Sequence, residues 1–198
     1  MAIIVDKVQK RKDIALSCKE LIFLHGIKDL TISKIAQTAG VGKGTIYEYF
    51  KNKEDIVFEI VNILVYERTK IIEKELSKII STKDKIKYFS RFFYSDEDIE
   101  LRKLYKEFIS IALSSPDEKM IEFQTECFIN HYSWFKKIIQ DAIDSGEIIK
   151  ESITLTKGLF VTAEGMFIAS VATNAIDDMQ KELDNYIDSI FELIEVKR

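Results

Sequence analysis

Apolar residues recur at helical spacing along most of the chain, and nowhere do they keep the two-residue alternation of a half-buried strand. Ile14, Cys18, Leu21 and Ile22 mark one face of a helix over residues 7–25, with Gly26 as its stop. Ile35, Ala36 and Ala39 mark a short second helix opened by Thr31, whose hydroxyl suits the free N–H groups of a first turn. Gly40 ends that helix, because glycine enters the left-handed region without a Cβ penalty, and Val41 then falls between this helix and the next. Ile46 and Phe50, four residues apart, supply the inner face of a third helix from about Lys43 to Phe50. A long amphipathic helix follows from Lys53 to about Ile80, with Ile56, Ile60, Ile63 and Leu64 facing the preceding helices.

Ser81 to Asp84 interrupts the pattern. A short helix over residues 85–94 carries Tyr88, Phe89, Phe92, Phe93 and Tyr94, and another opens at Ser95 and runs through Leu101, Leu104, Tyr105, Phe108 and Leu113. Pro116 suits the first turn of a helix ending at Ser145 before Gly146. The last two helices span residues 152–175 and 177–196. The expected fold class is all-α, with about nine or ten helices and no strand.

Composition agrees: seven glycines and one proline in 198 residues leave few tight turns, and the length suits one ordinary domain plus a small extra unit. The formal net charge of -4 conceals an asymmetry. Residues 1–53 carry 10 Lys/Arg against 5 Asp/Glu, whereas the remainder carries 19 against 28, so only the amino-terminal part suits a polyanion. Cys18 and Cys127 lie inside apolar helical patterns and read as reduced core residues of a cytoplasmic protein. The opening apolar run is too short for a signal peptide, and no later run suits a membrane span. With two histidines, two separated cysteines and no glycine-rich phosphate loop, no catalytic constellation, metal site or cofactor site emerges, and an enzyme is not expected.

The spacing of Ala36, Gly40 and Ile46 puts a small residue at a helix crossing, a turn glycine four residues on, and an apolar plug in the following helix. Two readings fit those three positions, a DNA-binding helix-turn-helix or an ordinary helical hairpin. With Ile46 and Phe50 inward, Lys43, Gly44, Thr45, Tyr47, Glu48 and Tyr49 form a polar, aromatic and basic outer surface that a major groove accepts. Glu48 suits either a cytosine amino group or solvent. The basic cluster Lys7, Lys10, Arg11 and Lys12 suits either phosphates or a solvated helix start.

The first third of the chain resembles the TetR family of transcriptional regulators. The matching residues are Ile14, Cys18, Leu21, Ile22, Gly26, Leu30-Thr31, Ile35-Ala36, Ala39-Gly40-Val41, Lys43 to Tyr47, Tyr49-Phe50 and Lys51 to Glu54. Two positions depart from the family pattern: Gly42 stands where serine is common, removing a hydroxyl that could cap the helix or touch a phosphate, and Cys18 where alanine is common. The resemblance implies a helix-turn-helix head over residues 1–53, continuing into a connecting helix to about 65, and a helical effector-binding and dimerisation domain over 54–198. It implies double-stranded operator DNA as partner, contacted by Thr31, Lys43, Gly44, Thr45, Tyr47, Tyr49 and Lys53. It also implies a homodimer acting as a repressor that a small-molecule effector releases.

The helix over residues 152–175 carries small residues at Gly158, Thr162, Gly165, Ala169 and Ala172, which suit either a partner subunit or close packing within one chain. Two recognition helices must lie about 34 Å apart to enter successive major grooves, which favours the dimer. Another face of the same helix sets Glu164 between Phe160 and Phe167, suiting a cationic or hydrogen-bonding effector or an internal ion pair. Phe108, Phe128, His131 and Trp134 complete the candidate effector site, which an apolar or aromatic ligand would suit; the competing role for these residues is core packing. The alternative to a regulator is a non-enzymatic helical dimer whose helix-turn-helix docks another protein.

Overall fold

The computed structural model describes residues 6–114 and 118–197. Among these residues ten α-helices run in order: α1 (Lys7–Ser17), α2 (Lys19–His25), α3 (Ile32–Thr38), α4 (Lys43–Tyr49), α5 (Lys53–Leu76), α6 (Thr82–Ser90), α7 (Ile99–Ser114), α8 (Glu118–Asp144), α9 (Thr156–Ala172) and α10 (Met179–Ile194). Short 3-10 turns lie at Arg91–Phe93, Asp96–Asp98 and Lys150–Thr154. Among the described residues the only β pairing is an isolated bridge between Ile148 and Glu195. No helix among them is long and apolar enough to cross a membrane. Pro116, expected in a first helical turn, lies outside the described residues, as does the apolar opening run.

The chain divides into two compact units. One takes the described residues up to Lys70 and those from Lys103 to the end of α7; the other takes Ile71–Arg102 and everything from α8 onward. Packing therefore keeps α5 with the head as far as Lys70; the resemblance implied a head over residues 1–53 continuing into the connecting helix to about 65.

In the first unit, the helix expected over residues 7–25 is two helices, because the chain kinks at Cys18 (φ -95, ψ 0). The Cys18 thiol is fully buried, and burial pushes its pKa up. Ile14, Ile22, Ile27, Leu30, Ile35, Ala36, Ile46, Phe50, Ile56, Val57 and Ile60 are all buried. The inner faces of α1 to α5 therefore match the sequence pattern, with Ala39, Val41, Ile63 and Leu64 only half-buried.

In the second unit, α6 packs on α8 and α10, and α9 packs on α8 and α10. The core between them holds Ile86, Phe135, Ile139, Ala142, Leu159, Phe160, Ile187 and Phe191. The helix expected over residues 85–94 starts earlier, at Thr82, and tightens into a 3-10 turn at Arg91. The Arg102 guanidinium donates to the carbonyls of Phe92 and Ser95, ordering the turn that precedes α7. Likewise α9 begins at Thr156 rather than 152, its first residues being spent in the 3-10 turn.

Candidate nucleic-acid interface

The turn between α3 and α4 closes by two backbone bonds. Gly40 N–H donates to Gln37 O at 3.2 Å and Val41 N–H to Ala36 O at 3.0 Å, with Gly40 at φ 65. That double closure is the Schellman arrangement, and it needs a residue free to take a positive φ. Thr31 caps α3 by accepting from Lys34 N–H at 3.3 Å, which leaves its hydroxyl hydrogen available to a phosphate. Gly42 caps α4 with extended backbone and no side-chain bond.

After α4, Asn52 Oδ1 accepts from Asp55 N–H at 2.9 Å while Asp55 Oδ2 accepts from Lys51 N–H at 2.9 Å. This reciprocal cap launches α5 directly from the end of the helix-turn-helix. Ile46 and Phe50 are 0% and 2% exposed, whereas Tyr47 is 59% exposed. Lys43, Gly44 and Glu48 are also open, and Thr45 and Tyr49 are half-buried. The open side chains of α4 thus lie together on the face opposite its packing residues.

Lys53 behaves differently from the expectation of an open phosphate contact. Its Nζ donates to Ile27 O at 3.3 Å and to Lys28 O at 3.1 Å, spending two of three donors on the α2–α3 loop. Arg11, one of the basic cluster, is likewise turned inward. Its Nε meets Glu59 Oε2 at 2.8 Å, its terminal nitrogen donates to Tyr49 O, and its guanidinium lies 4.2 Å over the Phe50 ring. Sequence reasoning placed Arg11 among the solvent- or phosphate-facing residues because its partners lie 38 and 48 residues away.

The candidate effector residues divide between the units. Phe108 is buried in the first, 6.2 Å from the Phe58 ring, whereas Phe128, His131, Trp134, Glu164 and Phe167 belong to the second. There, Phe89 contacts Trp134, Phe135 and Phe160; Phe128 contacts Tyr132 and Phe160; and Phe167 contacts Phe93. His131 Nδ1 bonds to Cys127 O at 2.7 Å, while Glu164 is half-buried on α9. Cys127 is half-buried, not a core residue, and desolvation followed by the nearby Glu126 charge raises its pKa. Gln124, which shares a helical face with His131 and Phe128 but was not expected to meet the effector, has a buried Nε2 with no hydrogen-bond partner, one helical turn before Phe128.

The small-residue stripe on α9 is partly packed within the chain: Thr162 and Ala169 are half-buried, and Thr162 Oγ1 accepts from Tyr186 Oη of α10 at 3.4 Å. Gly158, Gly165 and Ala172 are exposed, a Cβ on either glycine would meet nothing within 4 Å, and Val161 and Ile168 beside them are 39% and 40% exposed.

An exposed, basic and aromatic recognition helix held by a buried Ile46–Phe50 face and a Schellman turn defines a helix-turn-helix DNA-binding protein. Residues 18–60 match the family model described as bacterial regulatory proteins, tetR family. The fatty acid metabolism regulator protein of Bacillus subtilis is 26% identical over 180 residues, covering 88% of each chain. The solved structure of FadR from Bacillus subtilis in complex with stearoyl-CoA superposes with a TM-score of 0.69 at 25% identity, covering 90% of this chain and 95% of that one. A TetR-family regulator from Cytophaga hutchinsonii shares the fold at 15% identity, with a TM-score of 0.76 over 99% of this chain and 100% of its own. The amino-terminal head thus carries the TetR-family DNA-binding domain, and the likeness of the rest of the chain to such regulators supports a DNA-binding, ligand-responsive transcriptional regulator. The protein-docking alternative is not favoured, and the relatives are regulators rather than enzymes.

Proposed function

We propose that the chain acts as a homodimeric repressor that reads its operator with Lys43, Gly44, Thr45, Tyr47 and Tyr49 of α4. Thr31, and Lys53 through its remaining N–H, contribute to phosphates. The observation that carries this is the division of α4: Ile46 and the Phe50 that ends the helix are buried, Thr45 and Tyr49 are half-buried, and Lys43, Gly44, Tyr47 and Glu48 stay open towards DNA. Dimerisation uses the open face of α9, with Gly158, Thr162, Gly165 and Ala169 allowing close backbone approach. Thr162 suits a buried interface because its hydroxyl already donates to Gly158 O at 2.7 Å.

The effector class is a long-chain acyl-CoA or an apolar ligand of similar shape. Its support is the identity with the Bacillus subtilis regulators and the aromatic cluster of Phe89, Phe128, Trp134, Phe160 and Phe167 in the second unit. The unpartnered Gln124 amide supplies a donor for an effector oxygen, since buried polar atoms are ordinarily bonded. His131 and Glu164 flank this ligand in the same reading. Release requires the effector to bind the operator-free state more tightly than the operator-bound one.

The test is fluorescence anisotropy of the full-length protein on duplex DNA from upstream of its own gene, against a scrambled duplex, over a salt series. Preferential, salt-sensitive binding that stearoyl-CoA weakens is the expected result. Stearoyl-CoA binding is followed independently by Trp134 fluorescence, the chain having a single tryptophan. Saturation by that readout with unchanged operator affinity would refute release. Absence of binding would refute the effector class alone.

A further inference from the structure

Two helices, α5 and α7, each contribute residues to both units, and within the first unit both hold the same short loop. The loop Gly26–Lys28 joins α2 to the helix-turn-helix. Its Ile27 N–H donates to Glu107 Oε2 of α7 at 2.7 Å. The carbonyls of Ile27 and Lys28 accept from Lys53 Nζ, at the start of α5. A donor therefore meets an anion and two acceptors meet a cation, which makes every bond charge-assisted. Gly26 serves the same arrangement twice: it turns the chain at φ 72, and a Cβ in its place would lie 2.9 Å from Glu107 Oε1.

The side chains of Ile27 and Leu30 are 3% and 1% exposed, so the loop is anchored in the apolar core as well as by the two charges. Thr31 caps α3 immediately beyond Leu30, and α3 sets α4 through the closed turn at Gly40. The position of this loop thus decides where the recognition helix is presented.

We infer that Glu107 and Lys53 form a two-point clamp that positions the helix-turn-helix for operator reading. Glu107 is a positioning residue for DNA binding that lies 80 residues from the amide it holds. Lys53 acts chiefly through the same loop, and its phosphate contact is secondary. The inference rests on the DNA-binding reading of α4.

The experiment compares full-length Glu107→Ala, Glu107→Gln, Lys53→Met and the Glu107→Ala/Lys53→Met double variant. Three quantities are read: affinity for the operator, affinity for scrambled duplex, and hydrogen-exchange protection of the Ile27 amide. Glu107→Ala is expected to lower operator affinity about tenfold, with scrambled-duplex affinity unchanged and Ile27 protection lost. Glu107→Gln, which keeps an oxygen acceptor, restores most of both. Lys53→Met also weakens operator binding while reducing the salt slope only slightly, whereas loss of a dominant phosphate contact reduces that slope by about one. The double variant loses less than the product of the single effects, because both act on one loop.

Full operator affinity in Glu107→Ala with an unprotected Ile27 amide would overturn the clamp, as would a Gln variant no better than Ala. A Lys53→Met slope shallower by about one would overturn it for Lys53. A wild-type protein without operator preference would sink the DNA reading, and the Ile27 exchange arm would still decide whether Glu107 holds the loop.

Discussion

Replacing Arg11 by alanine tests whether this cation is a strut or a DNA contact. Its guanidinium pairs with Glu59 at 2.8 Å, with the two side chains 33% and 20% exposed, a setting worth about 1 kcal/mol. The bond to Tyr49 O adds about 1 kcal/mol, and the position 4.2 Å over Phe50 adds about 0.5–1 kcal/mol. Arg11→Ala is therefore expected to destabilise the head by about 2–3 kcal/mol, more than a tenfold shift in its opening equilibrium. Arg11→Lys keeps the charge but loses the planar fork, so it recovers less than half of that. The assay is hydrogen exchange of α1 and α4 amides with a parallel urea titration followed by circular dichroism, since Trp134 lies in the other unit. The strut reasoning fails if Arg11→Lys matches wild type in stability. It fails equally if Arg11→Ala changes only operator affinity, with a salt slope shallower by about one.

Gly40→Ala has open space around its new Cβ but keeps φ 65, so it should cost about 1–2 kcal/mol from backbone strain alone. Gly26→Ala adds a 2.9 Å approach to Glu107 and should cost more; urea midpoints of the two variants check the order. Phe160→Ala, which removes a ring touching Phe89, Phe128, Tyr132 and Phe135, should cost about 3–5 kcal/mol by Trp134-monitored unfolding. The hydrogen bond from Lys87, helped by its charge and by Lys83, holds the Asp188 carboxyl below the usual carboxylate range. A carboxylate depressed on folding stabilises above its unfolded pKa, and the gain is lost as pH falls through the folded value. Wild type and Asp188→Asn should therefore differ in stability at neutral pH and converge below about pH 4, in urea titrations over that range.

The helix-turn-helix was legible because its determinants are local. Thr31, Gly40, Ile46 and Phe50 act within about twenty residues of one another, and each does what its spacing implies. The long-range ties were not legible. Nothing in the pattern around Glu107 or Arg11 announces a carbonyl or amide dozens of residues away, and a charged residue on a helix reads as solvated until its partner is known. Phe108 shows the same limit for apolar residues: helical periodicity separates inside from outside, but it does not say which of two cores a side chain enters. The break at Cys18 left no mark either, since no glycine or proline occupies it and the apolar rhythm continues across it. For the candidate effector site, the sequence identified aromatic residues at suitable spacing, whereas the unpartnered Gln124 amide is visible only once burial is known.

Gly44 lies inside a seven-residue helix, where glycine costs about 1 kcal/mol relative to alanine, yet a Cβ there would meet nothing within 4 Å. No neighbour in the chain requires it. The recognition helix is thus written in two independent alphabets, one on Ile46 and Phe50 that keeps the head folded, the other on Lys43, Gly44, Tyr47 and Glu48 that faces outward. Changes in the second leave the first intact, so a new operator preference is reachable through single substitutions that a cell, or an engineer, can try without first rescuing the fold.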